Sequence, residues 1–156
     1  MKSLFHYNTL IAAKNLISKV LMIPNIVEEK KLSVLLVEDN ALNQKLMIIN
    51  LSKLNCIVSI ANNGLEGLNL FKAQKFDVIL MDLMMPVMDG FESSFEIRKI
   101  EKEEKSRGYT PIIAFTANTL NNDFKKCLEY GMDYLMEKPF NAFKFKEIIE
   151  SFGQHL

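Results

Sequence analysis

The sequence lacks an excess of charge of either sign. Nineteen Lys and Arg balance nineteen Asp and Glu over 156 residues, so the formal net charge is zero. Nothing global therefore points to nucleic acid or to an anionic membrane as a partner. Cysteine is scarce as well. Cys56 and Cys127 show no metal-ligand spacing, which reads as buried thiols in a reducing compartment and a cytoplasmic chain. No uncharged apolar run is long enough to span a membrane, because Lys14 and Lys19 interrupt residues 4–23. No small-residue cleavage site marks a secretory signal. Repeats and low-complexity tracts are missing too. What is there is a chain 49% hydrophobic, of a normal length for one domain with its own core.

Charge is uneven along the chain. Residues 1–22 carry three lysines and no acid, so the remainder is net acidic. In residues 4–23, Leu10, Ala13, Ile17, Val20 and Leu21 follow helical spacing, with Asn15, Ser18 and Lys19 opposite. Lys14 at the flank and Ile11 on the polar side make this an imperfect amphipathic helix. It reads either as a membrane-surface or dimerisation helix, with membrane contact disfavoured, or as a tail packed on its own domain. Met22 offers an alternative start. Pro24 to Lys31 is polar and reads as a linker, so residues 1–31 form an extension and residues 32–156 the main domain.

Beyond the linker, strand-like and helix-like segments alternate. Leu32–Val37 is an apolar run ending on Glu38-Asp39. Asn40 or Asn43 then opens a helix to about Leu54, with apolar residues at Leu42, Leu46, Ile49 and at Met47, Leu51, Leu54. Cys56–Ala61 is a short strand, and Asn62-Asn63-Gly64 a turn. Leu65–Lys75 is a helix burying Leu68 and Phe71. Phe76–Asp82 is a third strand, its apolar run closed by an aspartate and a loop containing Pro86 and Asp89-Gly90. In that loop Asp89 is a turn and helix-cap residue. Gly90–Lys105 is a helix whose end, dense in Glu and Lys, reads as a solvated face. Arg107–Thr110 is a loop, and Pro111–Thr116 a fourth strand ending on a hydroxyl. Asn121–Tyr130 is a helix stopped by Gly131, and Asp133–Met136 a fifth strand. Asn141 caps the last helix, which ends near Gly153. Phe140 and Phe145 are spaced for a hydrophobic staple, and Phe145, Ile148, Ile149 and Phe152 form its buried stripe. Five alternations in about 120 residues predict an α/β fold: a doubly wound, five-stranded parallel sheet with helices on both faces.

In such a sheet the C-terminal strand ends lie along one edge. Glu38 and Asp39 follow the first strand, Asp82 the third and Thr116 the fourth, and Lys138 follows the fifth. Three close carboxylates repel one another unless a cation joins them. Oxygen-only donors suit Mg²⁺, which keeps waters and favours a phosphate partner. A lysine and a hydroxyl beside them suit phosphoryl oxygens, and a carboxylate nucleophile would give an acyl phosphate. Any one of these residues alone reads as a cap, a strand end or surface. It is their joint occurrence at successive strand ends that carries chemistry.

Val37-Glu38-Asp39-Asn40, Leu80-Met81-Asp82 with Met84–Gly90, Ile113–Asn118 and Lys138-Pro139 together resemble the receiver (response-regulator) domain of two-component signalling. The resemblance spans about residues 32–153, and the wording of the motifs is most similar to receivers of hybrid histidine kinases. It implies the flavodoxin-like strand order 2-1-3-4-5. It also implies Asp82 as phosphoacceptor and Mg²⁺ held by Asp39, by Asp82, by the Met84 carbonyl and, through water, by Glu38. Lys138 would bind a phosphoryl oxygen, and Thr116 and the Ala117 amide would turn to the phosphoryl group. The implied donor is the phosphohistidine of a histidine kinase or histidine phosphotransfer protein, with an unidentified protein downstream and no nucleic acid. The chain departs from the pattern at Leu135, where receivers often carry an aromatic ring. Tyr134 is one residue earlier, on the opposite strand face. Two alternatives compete. A phosphatase of the haloacid dehalogenase type wants Asp-x-Asp after the first strand, where this chain has Asp39-Asn40-Ala41. A degenerate receiver acting only as a binding module would not need the intact acids, Thr116 and Lys138. Only 18 residues follow Lys138, enough for one helix. The expectation is a stand-alone receiver, a relay shuttle or a receiver separate from its kinase, with no output enzyme. Phe143, off the buried stripe, is the expected reader-facing group.

Overall fold

The computed structural model describes residues 31–117 and 123–153. The expectations for residues 4–23 and the linker lie outside the described residues, as do Asn118 and the start of the helix expected from Asn121. Five strands form one sheet in the order β2-β1-β3-β4-β5, every pair parallel. The strands are β1 (Leu32–Val37), β2 (Cys56–Ala61), β3 (Val78–Met81), β4 (Ile112–Thr116) and β5 (Tyr134–Glu137). The helices are α1 (Ala41–Lys53), α2 (Gly64–Ala73), α3 (Gly90–Glu103), α4 (Asp123–Glu129) and α5 (Ala142–Ser151), with a 3₁₀ turn at Lys105–Arg107.

Alternate residues of the central strands feed two cores. Leu35, Val37, Ile79, Met81, Ile112 and Ala114 face one side, with Leu68 and Phe71 of α2, Ile97 of α3 and Cys127 of α4. Val34, Leu36, Val78, Leu80, Ile113 and Phe115 face the other, with Met47 and Leu51 of α1 and Phe145, Ile148 and Ile149 of α5. Burial on both faces is why β1, β3 and β4 read as nearly continuous apolar runs, broken only by Ser33 and by Thr116 at the end of β4. At ~25 cal/mol per Å² of apolar area, each fully buried Leu, Ile or Phe contributes roughly 2–3 kcal/mol.

Local signals set the helix starts. Asp89 Oδ1 accepts from Glu92 N at 2.8 Å, Asn63 Oδ1 from Glu66 N at 2.9 Å and Asn141 Oδ1 from Lys144 N at 3.0 Å. Asn40 settles the open choice at α1, since its Oδ1 accepts from Leu42 N and Asn43 N. The Phe140–Phe145 staple forms, with ring centroids 5.4 Å apart. The second helix ends earlier than expected because Arg107 closes it: its guanidinium donates to the carbonyls of Phe71, Lys72 and Gln74.

The acidic and basic end of α3 is not wholly a solvated face. The Glu101 side chain is 7% exposed, takes Arg98 on one oxygen and accepts from Thr110 N on the other. Arg98 also reaches Asp133 at 2.8 Å and the Gly131 carbonyl at 2.7 Å. Asp133 in turn accepts from Ile112 N at 2.7 Å. This clasp joins α3 to the starts of β4 and β5, at the sheet edge opposite Asp82. Charge composition alone could not distinguish it from a solvated helix, because its partners come from distant residues. No helix among the described residues is long and apolar enough to cross a membrane.

Candidate functional site

The ladder runs one residue past the strands and holds their ends side by side. Glu38 N donates to Ala61 O at 3.0 Å, Asp82 N to Val37 O at 2.9 Å and Lys138 N to Thr116 O at 2.8 Å. Glu38, Asp82 and Thr116 are buried, at 1%, 8% and 5% exposure, while Asp39 is exposed at the rim. Glu38, Asp39 and Asp82 each offer a carboxylate oxygen, all within 4.8 Å of one another. Lys138 closes the set, with Nζ 2.6 Å from both Asp82 Oδ2 and Glu38 Oε2. Burial alone would lower its pKa, but the hydrogen bonds and charges of Asp82 and Glu38 outweigh that and hold it above the ordinary lysine value. The Lys138–Pro139 peptide bond is cis.

Three acids against one ammonium leave a deficit of positive charge. Two unit charges ~5 Å apart at an effective dielectric of ~20 repel by about 3 kcal/mol. A divalent cation answers that deficit. Carboxylate oxygens gathered within 4.8 Å of one another are the donor type that a hard cation such as Mg²⁺ takes.

The loop after β3 is built to stay in place. Met84 N donates to Asp82 Oδ1 at 3.3 Å. Gly90 N donates to Leu83 O at 3.1 Å, and a Cβ at Gly90 would stand 2.1 Å from Asp82 O, so only glycine fits. Gly64 N bonds Met88 O at 3.0 Å, and Ser93 Oγ bonds Gly64 O at 2.9 Å, tying the loop to α2 and α3. Val87, at φ 72°, is the centre of a tight turn closed by Met88 N to Pro86 O at 2.9 Å. Thr116 and Ala117 lie at the end of β4, the strand next to β3.

Leu135 and Tyr134 point to opposite faces, as the strand period requires. Leu135 packs against the core of α2, α3 and α4. Tyr134 packs on the α5 side, with Lys144 Nζ 5.4 Å from its ring centre. Two residues that sequence reasoning did not place at the site are Asn43 and Gln44. Asn43 Nδ2 donates to Glu38 Oε1 at 2.8 Å and Gln44 Nε2 to Glu38 O at 2.6 Å. The available signal was a pair of amides one helical turn after the acids.

Comparison with known proteins agrees with this geometry. The response regulator receiver domain family matches residues 34–150. Hybrid signal transduction histidine kinase K of Dictyostelium discoideum is 36% identical over 125 residues. That match covers 78% of this chain and 10% of the relative, so the chain spans about a tenth of that protein's length. Among solved structures, the receiver domain of sensor histidine kinase PA1611 from Pseudomonas aeruginosa, with magnesium coordinated in its active-site cleft, is 36% identical. Its TM-score is 0.68 over 78% of this chain and 96% of that one. The Saccharomyces cerevisiae structure of the phosphotransfer protein Ypd1 with the receiver domain of its downstream regulator Ssk1 matches at 33% identity. Its TM-score is 0.71 over 79% of this chain and 89% of that one. The chain described here belongs to the response regulator receiver domain family.

Proposed function

We propose that this chain takes a phosphoryl group onto Asp82 from a phosphohistidine donor and signals by protein contact. The observation that carries the reading is the convergence of three carboxylates, two of them buried, and the Lys138 ammonium on one sheet edge. Asp39, Asp82, the Met84 carbonyl and, through water, Glu38 would hold Mg²⁺. When bound, Mg²⁺ neutralises the carboxylates and the incoming phosphoryl oxygens. Asp82 Oδ1 or Oδ2 attacks phosphorus in line, the P–N bond to the donor imidazole breaks, and the imidazole keeps the electron pair and takes up a proton. Lys138 shifts from Asp82 to a phosphoryl oxygen, and the Thr116 hydroxyl and Ala117 N–H bond the remaining charge. The functional unit is residues 32–156, with residues 1–31 an extension, and the phosphorelay setting is cytoplasmic.

The donor is a histidine kinase or histidine phosphotransfer protein. Support comes from a groove of about 480 Å³ beside the cleft, lined by Asn43, Leu46, Phe115, Lys138 and Phe140. Next to it Leu42, Leu46 and Ile49 of α1 stand 66%, 53% and 52% exposed, an apolar stripe unusual on a solvated helix. An amphipathic helix bearing the phosphohistidine would cover that stripe and present its phosphate to Asp82. The reading is tested by phosphotransfer profiling with purified, radiolabelled histidine phosphotransfer proteins. Transfer to wild type but not to Asp82→Asn, weakened by Leu46→Glu, is the expected result. Label on Asp82→Asn would overturn it.

A further inference from the structure

Glu38 is gripped from several sides. Its Oε1 accepts Asn43 Nδ2 at 2.8 Å and, more weakly, Asn40 N at 3.3 Å. Its Oε2 accepts Lys138 at 2.6 Å, and its carbonyl accepts Gln44 Nε2 at 2.6 Å. At 1% exposure little bulk water can reach Oε1 in place of Asn43. The two oxygens of a carboxylate exchange by rotation about its last bond. Asn43 removes that freedom, holding Oε1 towards α1 and leaving Oε2 as the oxygen turned to Lys138 and Asp82. Asn43 can do this because Asn40, one turn earlier, caps the helix.

We infer that Asn43 is a positioning residue. It fixes the Glu38 carboxylate so that one preset oxygen meets a water bound to Mg²⁺. The inference rests on the Mg²⁺ reading of the acid cluster given above. Partners that orient a carboxylate behind a metal commonly change its affinity by 10–100-fold. Because Asn43 supplies one of the two short hydrogen bonds to the carboxylate, and the reading gives Glu38 a water-mediated contact, the lower end of that range applies.

The test is calorimetric titration of the full chain with MgCl₂, together with melting temperatures in EDTA and in Mg²⁺. The variants are Asn43→Ala, Asn43→Leu and Asn50→Ala. Asn50 is on the same helix, and its Nδ2 donates to Leu46 O at 2.8 Å instead of to an acid. Asn50→Ala therefore reports the loss of a polar helix residue alone. The expected result is Mg²⁺ affinity about tenfold weaker in both Asn43 variants, a smaller Mg²⁺-induced rise in melting temperature, and no change of either in Asn50→Ala. Asn43→Leu keeps the side chain's size without its donor, so it decides the matter if Asn43→Ala does not fold. Wild-type affinity in the Asn43 variants would overturn the positioning role and leave the Mg²⁺ reading standing. If wild type binds no Mg²⁺, the Mg²⁺ reading falls and this inference with it.

Discussion

Lys138→Met removes the cation set between two buried carboxylates. Breaking a fully buried ion pair by deleting one partner costs about 3–5 kcal/mol, because the other charge is left stranded. Here the Glu38, Asp82 and Lys138 side chains are 1%, 11% and 18% exposed, so the cleft admits some water. The expected loss in EDTA is therefore about 2–3 kcal/mol. In a domain of this size 1 kcal/mol moves the melting temperature by about 4 °C, which gives a fall of about 8–12 °C. Mg²⁺ should raise the melting temperature of Lys138→Met more than that of wild type, since it supplies the missing charge. The pH dependence has a definite sign. Burial works against the Lys138 charge, but Asp82 and Glu38 raise its pKa above 10.5. A raised folded-state pKa contributes stability that is fully present below the unfolded value and lost as pH rises through the folded one. The gap between wild type and Lys138→Met should stay flat from pH 7 to about 10 and narrow above that. Circular-dichroism melts in EDTA at several pH values measure all of this. A Lys138→Met protein as stable as wild type in EDTA at pH 7 would refute the reasoning.

Gly90→Ala places a Cβ 2.1 Å from Asp82 O, so the backbone of Asp82 must move. A loss of about 1–3 kcal/mol is expected, with weaker phosphorylation, both read by thermal melts and labelling; an unchanged protein would show the loop yields. Tyr109 is 61% exposed but donates to Asp133, and partial desolvation together with that bond pushes its pKa up to about 12. The raised value means the Tyr109 contribution is full below pH 10 and lost through about 12. Ultraviolet titration should show a late phenol that Tyr109→Phe removes. Phe143, 85% exposed on α5, should tolerate Ala within about 0.5 kcal/mol of wild-type stability. A larger loss would make it part of the core.

The strands and the acids, hydroxyl and lysine at their ends were legible because strand periodicity and strand-end chemistry are local properties; the order β2-β1-β3-β4-β5 that sets those ends side by side came only from the family resemblance. The Phe140–Phe145 staple and the Asp89 cap were legible for the same reason: each acts within four or five residues. What was not legible depends on distant partners or on a choice between local ones that only the folded chain makes. The capping of α2 by Arg107 joins residues more than thirty apart. The burial of Glu101 requires Arg98 and Thr110, and Asn43 looks like a helix-start residue until Asn40 is seen to occupy that role. Leu42, Leu46 and Ile49 gave an apolar pattern whose exposure only the packing of α1 against the sheet reveals.

The central claim is that Asp82 accepts the phosphoryl group with the help of a divalent cation. Incubation with acetyl phosphate, borohydride trapping of the acyl phosphate and peptide mass mapping tests it most directly. One trapped site is expected, at Asp82, formed in Mg²⁺, lost in EDTA and missing from Asp82→Asn. Trapping at a different carboxylate, or equal trapping at Asp82 in EDTA, would contradict it.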